Sequence, residues 1–205
     1  MNASRAPAGN PFSTRRVRPG AITYLFPPDE DAASLVARLS QQAWRGQIVG
    51  PHGSGKSTLL QSLLEEIHLA GRQPILVTLR DGERRLPRGS VTPAQLDAGK
   101  LLTVDGYEQL SRWSRWRLAR ACRRCGCGLL ATSHYSVGFP DLMRVCSSLQ
   151  VAQRVVAQLL RSAPCRITQT DVAEAFDRCR GNVRETLFDL YDLYERQRMC
   201  EVGGP

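Results

Sequence analysis

Lysine is nearly absent from this sequence. Of its 28 basic residues only Lys56 and Lys100 are lysine, and the rest are arginine. Such a bias follows genome composition, so the arginine count excludes little, but it makes each lysine informative. Long apolar runs are missing too. None approaches the roughly 20 residues that cross a bilayer, and the N-terminus lacks the apolar core of a secretory signal. No membrane span and a cytoplasmic location are therefore expected. The cysteines lack the pattern of a disulfide framework or a metal site. Seven is an odd number, and the cluster Cys122, Cys125, Cys127 lacks the second spaced pair of a structural zinc site. His134 is only a loose fourth candidate, so free thiols are expected. What is present is ordinary for a globular chain. The 205 residues are 42% hydrophobic and 23% charged, enough for one core and a small second lobe.

Residues 1–20 are rich in Pro, Gly, Ser and Arg without hydrophobic periodicity, and are expected to form a flexible basic arm. Residues 31–44 carry a helical stripe at Leu35, Val36, Leu39 and Ala43. Short apolar runs at 47–49, 75–77, 101–104 and 128–131 predict four buried strands. Helical patterns at 57–70, 107–125 and 148–160 separate or follow them, and a short helix is expected near 93–98. Strands alternating with helices predict an α/β domain with a parallel sheet over residues 21–164. After Pro164 the pattern changes. Two helices, 168–179 and 183–198, predict a small helical lid over residues 165–200.

Gly50-Pro51-His52-Gly53-Ser54-Gly55-Lys56-Ser57-Thr58 follows a predicted strand and opens a predicted helix. The pattern fits the phosphate-binding P-loop. Glycines let backbone N–H groups wrap a phosphate, and the helix N-terminus adds favourable partial charge. The expected ligand is ATP with Mg2+. Lys56 would reach the β- and γ-phosphates, Ser57 would ligate the metal and Thr58 would bond the α-phosphate. In a chain that uses arginine nearly everywhere, a lysine here fits the need for a compact ammonium between phosphates.

Magnesium needs a second anchor, normally an acid at a neighbouring strand end. Asp105 ends the run 101–104 and is expected beside the P-loop strand. A water-activating carboxylate should adjoin it, but residue 106 is Gly, and the nearest acid is Glu108. A helix starting at Gly106 would place Glu108 in its first turn, where it serves the water or simply the helix dipole.

The stretches GPHGSGKST (50–58), LLTVDGYEQL (101–110), LLATSH (129–134) and RGNVRETLFDLY (180–191) together resemble the AAA+ ATPases and the related signal-transduction ATPases. The resemblance implies a parallel-sheet P-loop NTPase domain with a small C-terminal helical lid, acting as a nucleotide-dependent ATPase switch. It implies that Thr132 or Ser133 senses the γ-phosphate at a strand end. It also implies that Arg184 contacts the γ-phosphate from the lid and couples lid angle to nucleotide state. It allows a homo-oligomer. Arg144 falls in the interval of a trans-acting arginine, but the abundance of arginine makes that match weak. The chain lacks the LSGGQ of transporter ATPases and the N-K-x-D of GTPases. A P-loop kinase acting on a small acceptor, with the arginines of 80–88 as substrate or lid region, and a binding module with little turnover are the alternatives.

Residues 110–125 are the other informative stretch, with an arginine- and tryptophan-rich face over 112–124. Leu110, Ser114, Leu118, Ala121 and Cys125 fall on one helical arc; Arg112, Trp113, Trp116, Arg117, Arg120, Arg123 and Arg124 fall on the other. Two outcomes are open. The arc is a contact surface for protein or nucleic acid, or the rings pack internally beneath arginine stems.

Overall fold

The computed structural model describes residues 9–161 and 166–202. Residues 1–8 of the expected arm, and Pro164 and Cys165 at the expected domain boundary, lie outside them. In chain order the described elements are α1 (Thr14–Val17), α2 (Ala32–Gln41), β1 (Arg45–Val49), α3 (Lys56–Leu69), β2 (Gln73–Thr78) and β3 (Lys100–Asp105). Then come α4 (Arg112–Arg124), β4 (Gly128–Ser133), β5 (Asp141–Arg144), α5 (Leu149–Leu160), α6 (Gln169–Arg178) and α7 (Val183–Val202). Two compact units are formed.

The first unit, Phe26–Pro51 with Lys56–Cys146, contains the sheet. All neighbours are parallel and the order is β2-β3-β4-β1-β5. β3 and β4 are buried along nearly their whole lengths, which requires cover on both faces and explains their unbroken apolar sequences. On one face Leu102, Val104, Leu129 and Ala131 form a core with Leu118 and Cys122 of α4. α3 packs against the sheet through Leu59, Leu60, Leu63 and Ile67, and α2 packs on α3. A capping box between Asp31 and Ser34 starts α2, satisfying two backbone donors that a helix start leaves unpaired.

Three expectations need correction. The Asp105 strand does not lie beside the P-loop strand, because β4 intervenes. A fifth strand exists: Asp141–Arg144 pairs with β1 at the sheet edge. The helix expected over 107–125 is two pieces. A 3-10 turn spans Tyr107–Gln109, Leu110 is extended, and Ser111 caps α4 by accepting from Ser114 N at 3.1 Å. Leu118, on the expected arc, and Cys122 are the fully buried positions of α4, with Ala121 and Cys125 of that arc packed beside them.

The second unit contains residues 9–25, the loop tip His52–Gly55 and the described residues from 147 to 202. Its core joins Phe12 and Ile22 to Val155 and Val156 of α5, Val172 of α6, and Leu187 and Leu190 of α7. Asn10 Nδ2 donates to Tyr191 O at 3.1 Å and to Glu195 Oε1 at 2.8 Å. From Asn10 onward the basic N-terminal segment is thus tied to α7 by named contacts.

Candidate nucleotide site

β1 delivers the chain to Gly50, whose N–H donates to Ser133 O at 3.1 Å, so the loop leaves the sheet beside the end of β4. Lys56 opens α3 and is 8% exposed. Its ammonium donates to Gly50 O and Pro51 O, each at 2.7 Å, and lies 3.5 Å from His134 Nδ1. The lysine therefore spans its own loop from below. Burial lowers its pKa, while the Glu108 and Asp105 carboxylates oppose that shift. Ser57 and Thr58 take the next two positions of α3, both half-buried.

Within the helical unit, Gly53 has φ +68°, and a Cβ there would lie 1.7 Å from Asn182 Oδ1. Only glycine fits, on both backbone and contact grounds. Asn182 in turn accepts from Glu185 N at 3.2 Å and so caps the start of α7. Arg184 lies in that first turn, exposed, with its guanidinium 5.8 Å from the Phe188 ring centre. Beside Gly53, Ser54 Oγ is buried without a hydrogen-bond partner, an orphan donor in a loop whose neighbours Gly53 and Gly55 are both left-handed.

At the end of β3, Asp105 accepts a hydrogen bond from Thr132 Oγ1, and Thr132 accepts one from Gly106 N at 3.0 Å. Thr132 is fully buried, so it joins the two strand ends rigidly. Ser133 Oγ donates instead to Tyr135 O. Of the two sensor candidates, Thr132 is thus the one bound to the acid. Gly106 has φ +83° and a Cβ there would sit 3.2 Å from Leu79 O. An acid at 106 would have to adopt left-handed backbone and crowd Leu79 O, so the turn disfavours a second carboxylate there.

Glu108 sits in the 3-10 turn, its side chain 8% exposed, with Oε1 2.9 Å from His134 Nε2. The partners assign the imidazole tautomer: Nε2–H donates to Glu108, leaving Nδ1 to accept from the Lys56 ammonium. Lys56, His134 and Glu108 thus form one continuous chain, and Asp105 with Thr132 stands alongside. Sequence reasoning considered His134 only as a metal ligand. Its position shortly after the apolar run of β4 was the available signal; that β4 lies between the phosphate-loop strand and the acid strand is given by the structure. A hydroxyl such as Ser57 with a carboxylate such as Asp105 is a hard-oxygen donor set, which fits magnesium, and the orphan Ser54 hydroxyl in the glycine loop fits a phosphate oxygen.

No family profile and no curated protein matches the chain in sequence. Solved structures do match in fold. A Walker-type ATPase of Pyrococcus abyssi is similar over 94% of this chain and 75% of its own, with a TM-score of 0.59 at 13% identity. NtrX from Brucella abortus, in complex with ADP, is similar over 80% of this chain at a TM-score of 0.51 and 14% identity. The chain has a P-loop NTPase fold. It spans half the length of NtrX. Among the described residues, no helix of this P-loop NTPase domain is long and apolar enough to cross a membrane.

Proposed function

We propose that the chain binds ATP with Mg2+ and hydrolyses it as an AAA+-like nucleotide-dependent switch. The observation that carries this is the buried Lys56 ammonium, held by two loop carbonyls and connected through His134 to Glu108. An ammonium has three donors. Two stay on Gly50 and Pro51, and an entering phosphate takes the third in place of His134. Ser57 and Asp105 would hold magnesium, which supplies charge neutralisation on the phosphates when bound. His52, Gly53, Ser54 and Gly55 wrap the phosphates with backbone N–H groups, Gly50 and Pro51 shape the loop and hold Lys56 through their carbonyls, and Thr58 bonds the α-phosphate. Glu108, anchored on one oxygen by His134, orients the water, and Thr132 keeps Asp105 fixed. Arg184 reports the γ-phosphate to the helical unit, starting from the turn that abuts Gly53. A macromolecular partner meets the switch on the arginine- and tryptophan-bearing face of α4.

Titration with a fluorescent ATP analogue tests the reading. Lys56→Ala should lose nucleotide affinity by at least a hundredfold while keeping its helical circular dichroism. Retained affinity would overturn the assignment. Phosphate release from ATP alone, without an acceptor, distinguishes the ATPase from a kinase.

A further inference from the structure

α4 carries six arginines, no acid and two tryptophans within thirteen residues. Both rings face solvent, Trp113 58% exposed and Trp116 60% exposed. Arg117 lies over the Trp113 ring at 4.4 Å and Arg120 over Trp116 at 5.8 Å. Among the described residues no ion pair neutralises any α4 arginine, and Arg115 Nε is buried with no hydrogen-bond partner. Beside Trp116 opens a cavity of about 370 Å³. Trp116, Arg120, Arg123 and Arg124 form part of its wall, Tyr107 and Phe139 line it too, and no carboxylate lines it.

A surface with this much unneutralised charge attracts a polyanion. The rings decide which kind. An acidic peptide would use the guanidiniums and leave two large indoles in water. A duplex would present phosphates but keep its bases paired and stacked. A single strand offers both phosphates and free π-faces, and stacking on aromatic side chains with arginine support is how such strands are held. The cavity lies within the size range of small-ligand pockets and admits one unstacked base.

We infer that the α4 face, with the cavity beside it, binds a single-stranded polynucleotide. Bases stack on Trp113 and Trp116, and the arginines contact successive phosphates. This rests on the reading of α4 as the partner face and deepens it. It does not depend on the nucleotide chemistry, so binding is measured without ATP.

The test is fluorescence anisotropy of a labelled deoxythymidine oligomer on the full chain at low salt. Binding is expected, with a duplex of the same length weaker. Trp113→Ala with Trp116→Ala should weaken it about ten- to a hundredfold, and Trp116→Phe alone should retain most of it. Arg120→Gln with Arg123→Gln should lower the slope of log affinity against log salt by roughly 0.7 per arginine. Because both rings are exposed, the variants should keep the wild-type thermal melt and ATP-analogue affinity. The inference is overturned if the oligomer does not bind, if the double tryptophan variant binds it undiminished, or if the duplex binds as tightly. It is also overturned if polyglutamate of equal charge displaces the oligomer more readily than unlabelled oligomer does, which would make this a protein-docking face.

Discussion

Helices α3 and α4 each follow a parallel strand, yet they treat charge in opposite ways. α3 buries its single basic side chain of the first turn, Lys56, together with Leu59, Leu60, Leu63 and Ile67. α4 buries only Leu118 and Cys122 fully and sets five of its six arginines outward, Arg115 being half-buried. The difference separates two jobs that a basic residue can do. A buried ammonium must have each donor matched, and Lys56 does so with two backbone carbonyls and an imidazole. Exposed guanidiniums need no internal partner and keep their charge available to solvent and ligands.

The sharpest way to break this contrast is to give α3 the cation of α4. Lys56→Arg should behave as Lys56→Ala and lose ATP-analogue binding at least a hundredfold, because a planar guanidinium does not fit the site between Gly50 O and Pro51 O. Next is the turn that leads into α4. Glu108→Gln should slow phosphate release by about a hundredfold or more with ATP affinity changed only a few-fold, whereas an equal loss of affinity would make Glu108 a binding residue. Denaturant unfolding then compares the two helices as packing elements. Leu63→Ala should cost about 2–5 kcal/mol, and Trp113→Ala should stay within about 0.5 kcal/mol. Gly106→Ala should cost about 1–2 kcal/mol, from its left-handed backbone and the approach to Leu79 O.

The smallest effect concerns pH. Burial raises the Tyr107 pKa from 10.0 to about 12, and its hydroxyl donates to Arg115 O at 3.2 Å. The unfolded chain therefore loses this proton first. Its contribution is complete below pH 10 and is lost as pH rises toward 12, by at most about 1.4 kcal/mol per pH unit. Tyr107→Phe should flatten the wild-type decline in stability across that interval, as read from denaturant midpoints; an unchanged slope would assign the decline to other groups.

Those elements whose sequence answers to one dominant force were legible. The runs that became β1, β3 and β4 were legible because burial on both faces demands unbroken hydrophobicity; β2, at the sheet edge, buries only Val77 fully yet carries the same apolar signal. The glycine loop followed from its strand-to-helix pattern. β5 was not legible, since Asp-Leu-Met-Arg at a sheet edge buries only Leu142 fully and looks like a loop. The place of β4 between β1 and β3 was also hidden, because strand order is set by long-range pairing that no local pattern records. The early helix start at 107 was wrong for a physical reason: Gly106 and Leu110 both leave helical backbone, and the turn at Gly106 is held by Leu79 and Thr132, distant in sequence. His134 was read for its chemistry as a ligand, while its role came from geometry, through Lys56 on one nitrogen and Glu108 on the other.

Tyr107 lines the α4 cavity and is in edge contact with Phe139, ring centres 5.5 Å apart. Its chain neighbour Glu108 faces His134. The wall of the cavity and the carboxylate that meets His134 are thus consecutive residues of a single short turn that begins at Gly106. No residue separates them. One turn therefore serves two surfaces, and a substitution made to reshape the cavity at Tyr107 changes the immediate chain neighbour of Glu108.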